Sequence, residues 1–205
     1  MHYDFHVHTS RYSPCALDSP ETICKRALEA GLAGIAITEH DLWWPSEELQ
    51  SLADRFPELV IFRGAEYACP EGHFLVFLPN GEDGGKDLNA RSVLNLIAGV
   101  HERGGMLIWA HPLRFGESLG WLKKAKLDGI EVASSNINAR LGNIARKLAA
   151  HRDLGMFRNS DTHRANTLGK YYNEIPLQLR NTAEMIRYLS RNALTPPKGN
   201  TVIST

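Results

Sequence analysis

The stretch Met106-Leu107-Ile108-Trp109-Ala110-His111-Pro112 decides the reading of the fold. Its apolar run suits a strand buried on both faces, as parallel strands are when helices cover them. The run stops at a histidine. The same pattern recurs on either side. Tyr3 to Val7 reads as a strand carrying His6-Val7-His8 at its end. Gly34 to Thr38 leads into Glu39-His40-Asp41, Leu59 to Phe62 into Gly64-Ala65-Glu66, and Met156 to Asn159 into Ser160-Asp161-Thr162-His163. Further strands are expected at His73 to Leu78, Gly129 to Val132 and Tyr171 to Leu177.

Helices fall between these runs. A capping box from Asp18 to Glu21, with Pro20 in the first turn, starts a helix that reaches Ala30 and stops at Gly31. Ser46 caps a second helix to about Arg55. Asp87-Leu88-Asn89 opens a long one to Arg103, with Val93, Leu94, Ile97 and Val100 on one stripe. Others are expected at Leu119 to Lys126, Ala139 to His151 and Thr182 to Arg191.

Strand and helix thus alternate repeatedly, which argues an α/β fold with a parallel sheet. The sheet is either open and doubly wound or closed into a barrel. No Gly-x-Gly-x-x-Gly or Walker motif is present, so the main nucleotide-binding signatures are absent. Polar residues at the ends of several different strands are the distribution of a barrel site. With 205 residues the chain is short for eight β/α units, and a seven-unit or irregular barrel fits better. One domain over 1–205 is expected, with a surface loop at Pro79 to Lys86 and a loosely ordered tail from about 196.

Composition narrows the function. Lys plus Arg and Asp plus Glu number 23 each, so bulk charge does not draw the chain to nucleic acid. No apolar run approaches the ~18 residues of a membrane span. The N-terminus enters a strand containing Asp4 and His6, with no signal peptide. Cys15, Cys24 and Cys69 form no CxxC pair, which suits a reducing compartment. Cytoplasmic location is the expectation.

Nine histidines remain to be placed. His101 and His151 lie in the last turns of expected helices, where they complement the helix dipole. His2 precedes the first strand. The other six, His6, His8, His40, His73, His111 and His163, sit at strand ends or starts that face one end of the fold. Residues two apart on a strand share a face, so His6 and His8 can share an ion. Six imidazoles converging with Glu66 and Asp161 would leave costly unpaired polarity unless something bound them. Imidazole with carboxylate is the ligand mix of zinc, iron or manganese. An anionic oxygen is needed to bridge two ions, and Glu66 is the obvious candidate.

The ordered set His6-Val7-His8-Thr9, Ile37-Thr38-Glu39-His40-Asp41, Gly64-Ala65-Glu66, His73, Ala110-His111-Pro112 and Ser160-Asp161-Thr162-His163 resembles the polymerase and histidinol phosphatase (PHP) family. The resemblance runs from residue 6 to 163. It implies a distorted (β/α)7 TIM-like barrel and a phosphoester-hydrolysing site holding two or three divalent metals, Zn, Mn or Fe. It also implies that His6, His8, Glu66 and Asp161 hold the first metal, Glu66, His73 and His111 the second, and His40 and His163 the third. Where the family often has Asp or His as a further ligand of the third metal, this chain has Cys15, whose thiolate suits zinc or iron. Where the family has Thr-Asp-His it has Thr38-Glu39-His40, and Glu39 is expected to orient His40.

In the chemistry so implied, Asp161 ligates and accepts the proton of the attacking water, and His163 or His40 assists the leaving oxygen. Arg11, Arg114 and Arg164 are the candidate phosphate binders. Glu131 ends a further strand, either beneath the ligands or on the rim. Trp43 and Trp44 form either an aromatic lip or packing under a loop. The substrate expected is a small phosphorylated molecule, with nucleotides among the candidates. Two rival readings are an amidohydrolase-type metal hydrolase and a non-catalytic metal-binding module. The first of these often uses a bridging Lys at a central strand end, and none stands there.

Overall fold

The structure, a computed structural model, describes residues 1–79 and 88–195. The expected loop Pro79–Lys86, Pro79 apart, lies outside the described residues. So do Asp87 and the expected tail from 196.

The order of elements is β1 (His2–Val7), α1 (Pro20–Glu29), β2 (Gly34–His40), α2 (Ser46–Arg55), β3 (Val60–Cys69), β4 (Gly72–Phe77), α3 (Val93–Glu102), β5 (Met106–Ala110), β6 (Gly129–Ala133), α4 (Ala139–Arg152), β7 (Gly155–Arg158), β8 (Asn173–Glu174) and α5 (Thr182–Leu189). The strands form one sheet in the order β7-β6-β5-β4-β3-β2-β1-β8, curled into a nearly closed α/β barrel. Its edges are stitched at two levels. Near the top, Val7 bridges Thr162, and His8 donates its amide to the Thr162 carbonyl at 2.9 Å. Lower down, the Asn173 side-chain amide donates to the carbonyls of Tyr3 (3.2 Å) and Arg158 (2.9 Å), one on each side of the seam.

The sheet is not wholly parallel, as the alternation of elements had suggested. β3 and β4 form an antiparallel hairpin turning at Gly72, whose φ is +131°, and β4 is antiparallel to β5 as well. This reversal brings the start of β4, with His73, to the end of the barrel where the other strands finish. Several boundaries also move. Ser19, rather than Asp18, accepts the capping hydrogen bond of α1, while Asp18 accepts from the Ala165 amide at 2.7 Å. Ser46 is the first residue of α2, behind Pro45. α3 starts at Val93 behind a Ser92 cap, 119–126 holds only a 3-10 turn at Gly120–Lys123, and the last strand shrinks to Asn173–Glu174.

The barrel interior is filled by Tyr3, Phe5, Phe62, Leu75, Phe77, Ile108 and Phe157, all buried. α5 joins this cluster through Met185, Ile186 and Leu189, and the Tyr3 hydroxyl accepts from the Leu179 amide at 2.9 Å. The interior below the site is therefore apolar and plugged. Two outer clusters pack α1 and α2 on one side and α3 and α4 on the other. No helix among the described residues is long and apolar enough to cross a membrane.

Candidate metal centre

The site begins with an irregularity in β1. Tyr3 and Asp4 stand opposite Gly34 and Ile35, but Val7 stands opposite Ile37, so β1 carries one extra residue between Asp4 and Val7. A bulge of this kind re-aims the side chains beyond it. Tyr3 and Phe5 point into the barrel below the bulge. Above it Val7 joins the outer layer with Ile35 and Ile37, and His6 and His8 take the inward positions. The sequence alternation alone would have sent Phe5 and His6 to opposite faces.

The two imidazoles meet at Nε2, 3.0 Å apart. Glu66 Oε2 lies 3.3 Å from His6 Nε2, 3.2 Å from His8 Nε2 and 3.0 Å from His40 Nδ1. Its other oxygen, Oε1, is 3.0 Å from His73 Nδ1 and 2.9 Å from His111 Nε2. Asp161 Oδ1 faces His6 (3.3 Å), His8 (3.5 Å) and His163 (3.5 Å). Three groups of ligand atoms result: His6, His8 and Asp161; His6, Glu66 and His111; and His8, His40 and His163. The two oxygens of Glu66 thus face different histidine sets, the geometry of a bridging carboxylate.

These residues fit metal ions. Ligands bound at about 2.1 Å to one ion stand about 3.0–3.4 Å apart at octahedral to tetrahedral angles, close to the separations seen here. Glu66 Oε2 and Asp161 Oδ1 are buried and accept no hydrogen bond, although each is surrounded by imidazole nitrogens. Unpaired buried carboxylate oxygens are costly, and a cation is the partner that both can share.

The electrostatics agree. Asp4, Glu39, Glu66, Glu131 and Asp161 are all buried. Burial works against charge on His6, yet Asp161, Glu131 and Glu66 raise its pKa well above that of a free imidazole. Burial would push Glu66 up, but His6, His111 and His40 hold it well below the usual carboxylate range. Asp161 is held down in the same way by His6 and His8. The cluster is a demand for positive charge.

A second ring of residues fixes the ligands. Glu131, fully buried inside the barrel rather than on its rim, lies 3.0 Å from His6 Nδ1 and accepts from the His111 amide (2.7 Å) and the Asn159 side chain (2.8 Å). It leaves His6 Nε2 facing the site. Glu39 was expected to orient His40, but it accepts instead from Thr9 Oγ1 (2.6 Å), Trp44 Nε1 (3.0 Å) and Ser13 Oγ, and Ser13 Oγ in turn lies 3.3 Å from His8 Nδ1. Glu39 therefore acts on His8 and on the loop after β1. Asn136, which no motif singled out, donates to Asp161 Oδ2. It follows the end of β6, the one topological signal that could have found it. The backbone takes left-handed values at Asp41 (φ 52°), His111 (φ 24°) and Asp161 (φ 51°), all at strand ends facing the site.

Of the other expected members, most are placed elsewhere. Cys15 is exposed and belongs to none of the three ligand groups. Its thiol pKa is raised by partial burial, with Glu66 and Asp161 adding to the shift. Arg11 turns away and pairs with Glu48 at 3.0 Å on the outer surface. Arg164 is exposed at the start of a 3-10 turn. Arg114 does face the site, with Nη1 3.7 Å from Asp161 Oδ2. Trp44 is buried under the loop by its bond to Glu39, and Trp43 donates to the Tyr67 hydroxyl at 3.0 Å. His101 pairs with Asp128 at 2.9 Å, away from the centre.

Comparisons with known proteins agree with this picture. A family model described as PHP-associated matches residues 143–194, from α4 to beyond α5. An uncharacterized protein of Methanocaldococcus jannaschii is 31% identical over 144 residues, covering 64% of this chain and 81% of that one. Among solved structures, a two-domain protein of Bacteroides vulgatus containing a predicted PHP-like metal-dependent phosphoesterase superposes with a TM-score of 0.69 at 18% identity, covering 95% of this chain. The chain spans 63% of that protein's length. A proposed metal-dependent phosphoesterase of Bifidobacterium adolescentis gives 0.67 at 17% identity, covering 92% of this chain and 96% of that one. An amidohydrolase of Chromobacterium violaceum with bound sulfate gives 0.67 at 16% identity, covering 91% and 96%. At these identities the structural likeness is one of fold.

Proposed function

The chain belongs to the polymerase and histidinol phosphatase (PHP) family, and on that premise we propose that it is a metal-dependent hydrolase of small phosphomonoesters or phosphodiesters. The observation that carries this reading is the pair of buried oxygens, Glu66 Oε2 and Asp161 Oδ1, which accept no hydrogen bond while facing Nε2 of both His6 and His8.

We assign His6, His8, Glu66 and Asp161 to a first divalent cation, Glu66, His73 and His111 to a second, and His40 and His163 to a third. Zinc, manganese and iron all suit the donors. Such ions, when bound, polarise a phosphoryl oxygen and lower the pKa of a water to near neutrality. The chain's own groups supply the rest. Arg114, half in solvent and 3.7 Å from Asp161, is the cation available to an incoming phosphate. Asp161 combines a ligand oxygen, Oδ1, with a second oxygen held by Asn136, and is placed to receive a proton. Burial and the neighbouring His8 lower the pKa of His163, which suits it to ligate as neutral imidazole. His40, its partner in that pair, is 34% exposed at the rim, where an incoming substrate can approach it.

The test is a panel of phosphomonoesters, phosphodiesters and amides, assayed with the Mn²⁺- or Zn²⁺-loaded protein and after chelation. Metal-dependent release of phosphate or of the diester's alcohol is expected. Hydrolysis confined to amides supports the amidohydrolase reading instead. Metal bound with no turnover on any substrate leaves a binding module and overturns the proposal.

A further inference from the structure

We propose that Phe115 is a specificity-determining residue, its ring forming a platform for a planar ring in the substrate's leaving group; this rests on the phosphoester reading above.

Three observations at the site carry it. Phe115 is 59% exposed, unusual for the most apolar aromatic side chain, and it is exposed at the metal centre. Its ring centroid lies 5.2 Å from that of His73 and 6.0 Å from that of His111, both of which face Glu66 Oε1. The guanidinium of Arg114, its chain neighbour, sits 5.2 Å from the Phe115 centroid and 3.7 Å from Asp161. An anion-binding group, a ring face and the cation ligands are therefore contiguous. A phosphoester reaching Arg114 and the ligand set places its ester substituent within reach of Phe115.

The loop that carries the ring is held in shape. The Arg114 amide donates to the His111 carbonyl, the Gly116 amide to the Leu113 carbonyl, and the Phe115 amide to Glu117 Oε2 at 3.1 Å. Leu113 (φ 65°) and Gly116 (φ 76°) turn the chain on either side of the Arg114–Phe115 pair. A fixed, solvent-facing ring loses little conformational freedom when a second ring stacks on it, which is what makes aromatic platforms effective. Trp43 and Trp44, which the sequence left as either a lip or packing under a loop, point their indole N–H groups at Tyr67 and Glu39.

The experiment compares Phe115→Ala and Phe115→Trp with the wild type in two arms. The first measures kcat/KM for phenyl phosphate and for ethyl phosphate, each as the ratio of variant to wild type. The second measures binding of phenylphosphonate and methylphosphonate, which cannot be hydrolysed, to the metal-loaded protein by calorimetry. Loss of a stacking face is expected to weaken the phenyl compounds about 5- to 20-fold, mainly in KM, and to leave the methyl and ethyl compounds unchanged. Phe115→Trp should retain the preference. Equal effects on both kinds of ligand, no effect, or no phosphonate binding by the wild type overturns the platform. Phenyl-selective phosphonate binding that depends on Phe115, without turnover of any ester, keeps the platform and overturns the phosphoesterase reading.

Discussion

Glu131, closed off from solvent, grips two residues of the candidate centre at once, His6 through Nδ1 and His111 through its backbone amide. Groups that orient a ligand matter nearly as much as the ligand. Glu131→Gln keeps the shape but replaces one acceptor oxygen with a donor, so it cannot serve His6, His111 and Asn159 together. It is expected to weaken metal affinity about 10- to 100-fold while leaving the fold intact, read by competition with a chromophoric chelator and by circular dichroism. Unchanged affinity would remove Glu131 from the account. For Cys15, exposed and outside the ligand groups, Cys15→Ser should leave metal content and turnover unchanged. Loss of bound metal in that variant would restore it as a ligand. The histidines and the two central carboxylates were legible in the sequence because their chemistry is unusual at strand ends. The role of Glu39 was not, because its partners Thr9, Ser13 and Trp44 are brought to it by the loop after β1. Among the arginines, sequence proximity to a motif was no guide. Arg11 is drawn off by Glu48, and the side chain that reaches Asp161 is Arg114.

Among the elements, β1 and β3 set the site. The β1 strand could be read from its apolar run, but the extra residue between Asp4 and Val7 could not, since a bulge leaves no pattern of its own. Without it, His6 and His8 would share a face with Asp4 rather than stand above Tyr3 and Phe5. In β3 the inward positions run Phe62, Gly64, Glu66. An added Cβ at Gly64 would lie 2.5 Å from Phe77 Cε1 and 3.0 Å from Thr38 Cγ2, so glycine makes room for the Phe77 ring two residues before Glu66. Gly64→Ala is expected to destabilise the protein by about 1–3 kcal/mol through overpacking, seen as a lower thermal midpoint. An unchanged midpoint would mean that Phe77 relaxes freely. The antiparallel β3–β4 hairpin escaped the sequence reading because short apolar runs carry no sign of direction. A helix is expected from the sequence over 119–126, but only one 3-10 turn forms there.

At the scale of the whole molecule, formal neutrality hides a strong internal imbalance. The chain balances 23 basic against 23 acidic residues. Even so, Asp4, Glu39, Glu66, Glu131 and Asp161 are all buried, and the groups that face Glu66 and Asp161 are imidazoles, Asn136 and the guanidinium of Arg114. A barrel sealed below by Tyr3, Phe5 and α5, and stitched along its seam by Asn173 and Thr162, holds these groups where water cannot compensate them. Bound cations are the compensation the architecture calls for, and Glu66, with one oxygen toward each histidine set, is its hub. The most direct measurement is the metal content of the purified wild type and of Glu66→Gln by elemental analysis, with phosphoester turnover recorded on the same samples. The account predicts about two or three equivalents per chain in the wild type, no more than about one in the variant, and turnover only in the wild type. A full complement of metal in Glu66→Gln, or none in the wild type after loading, would contradict it.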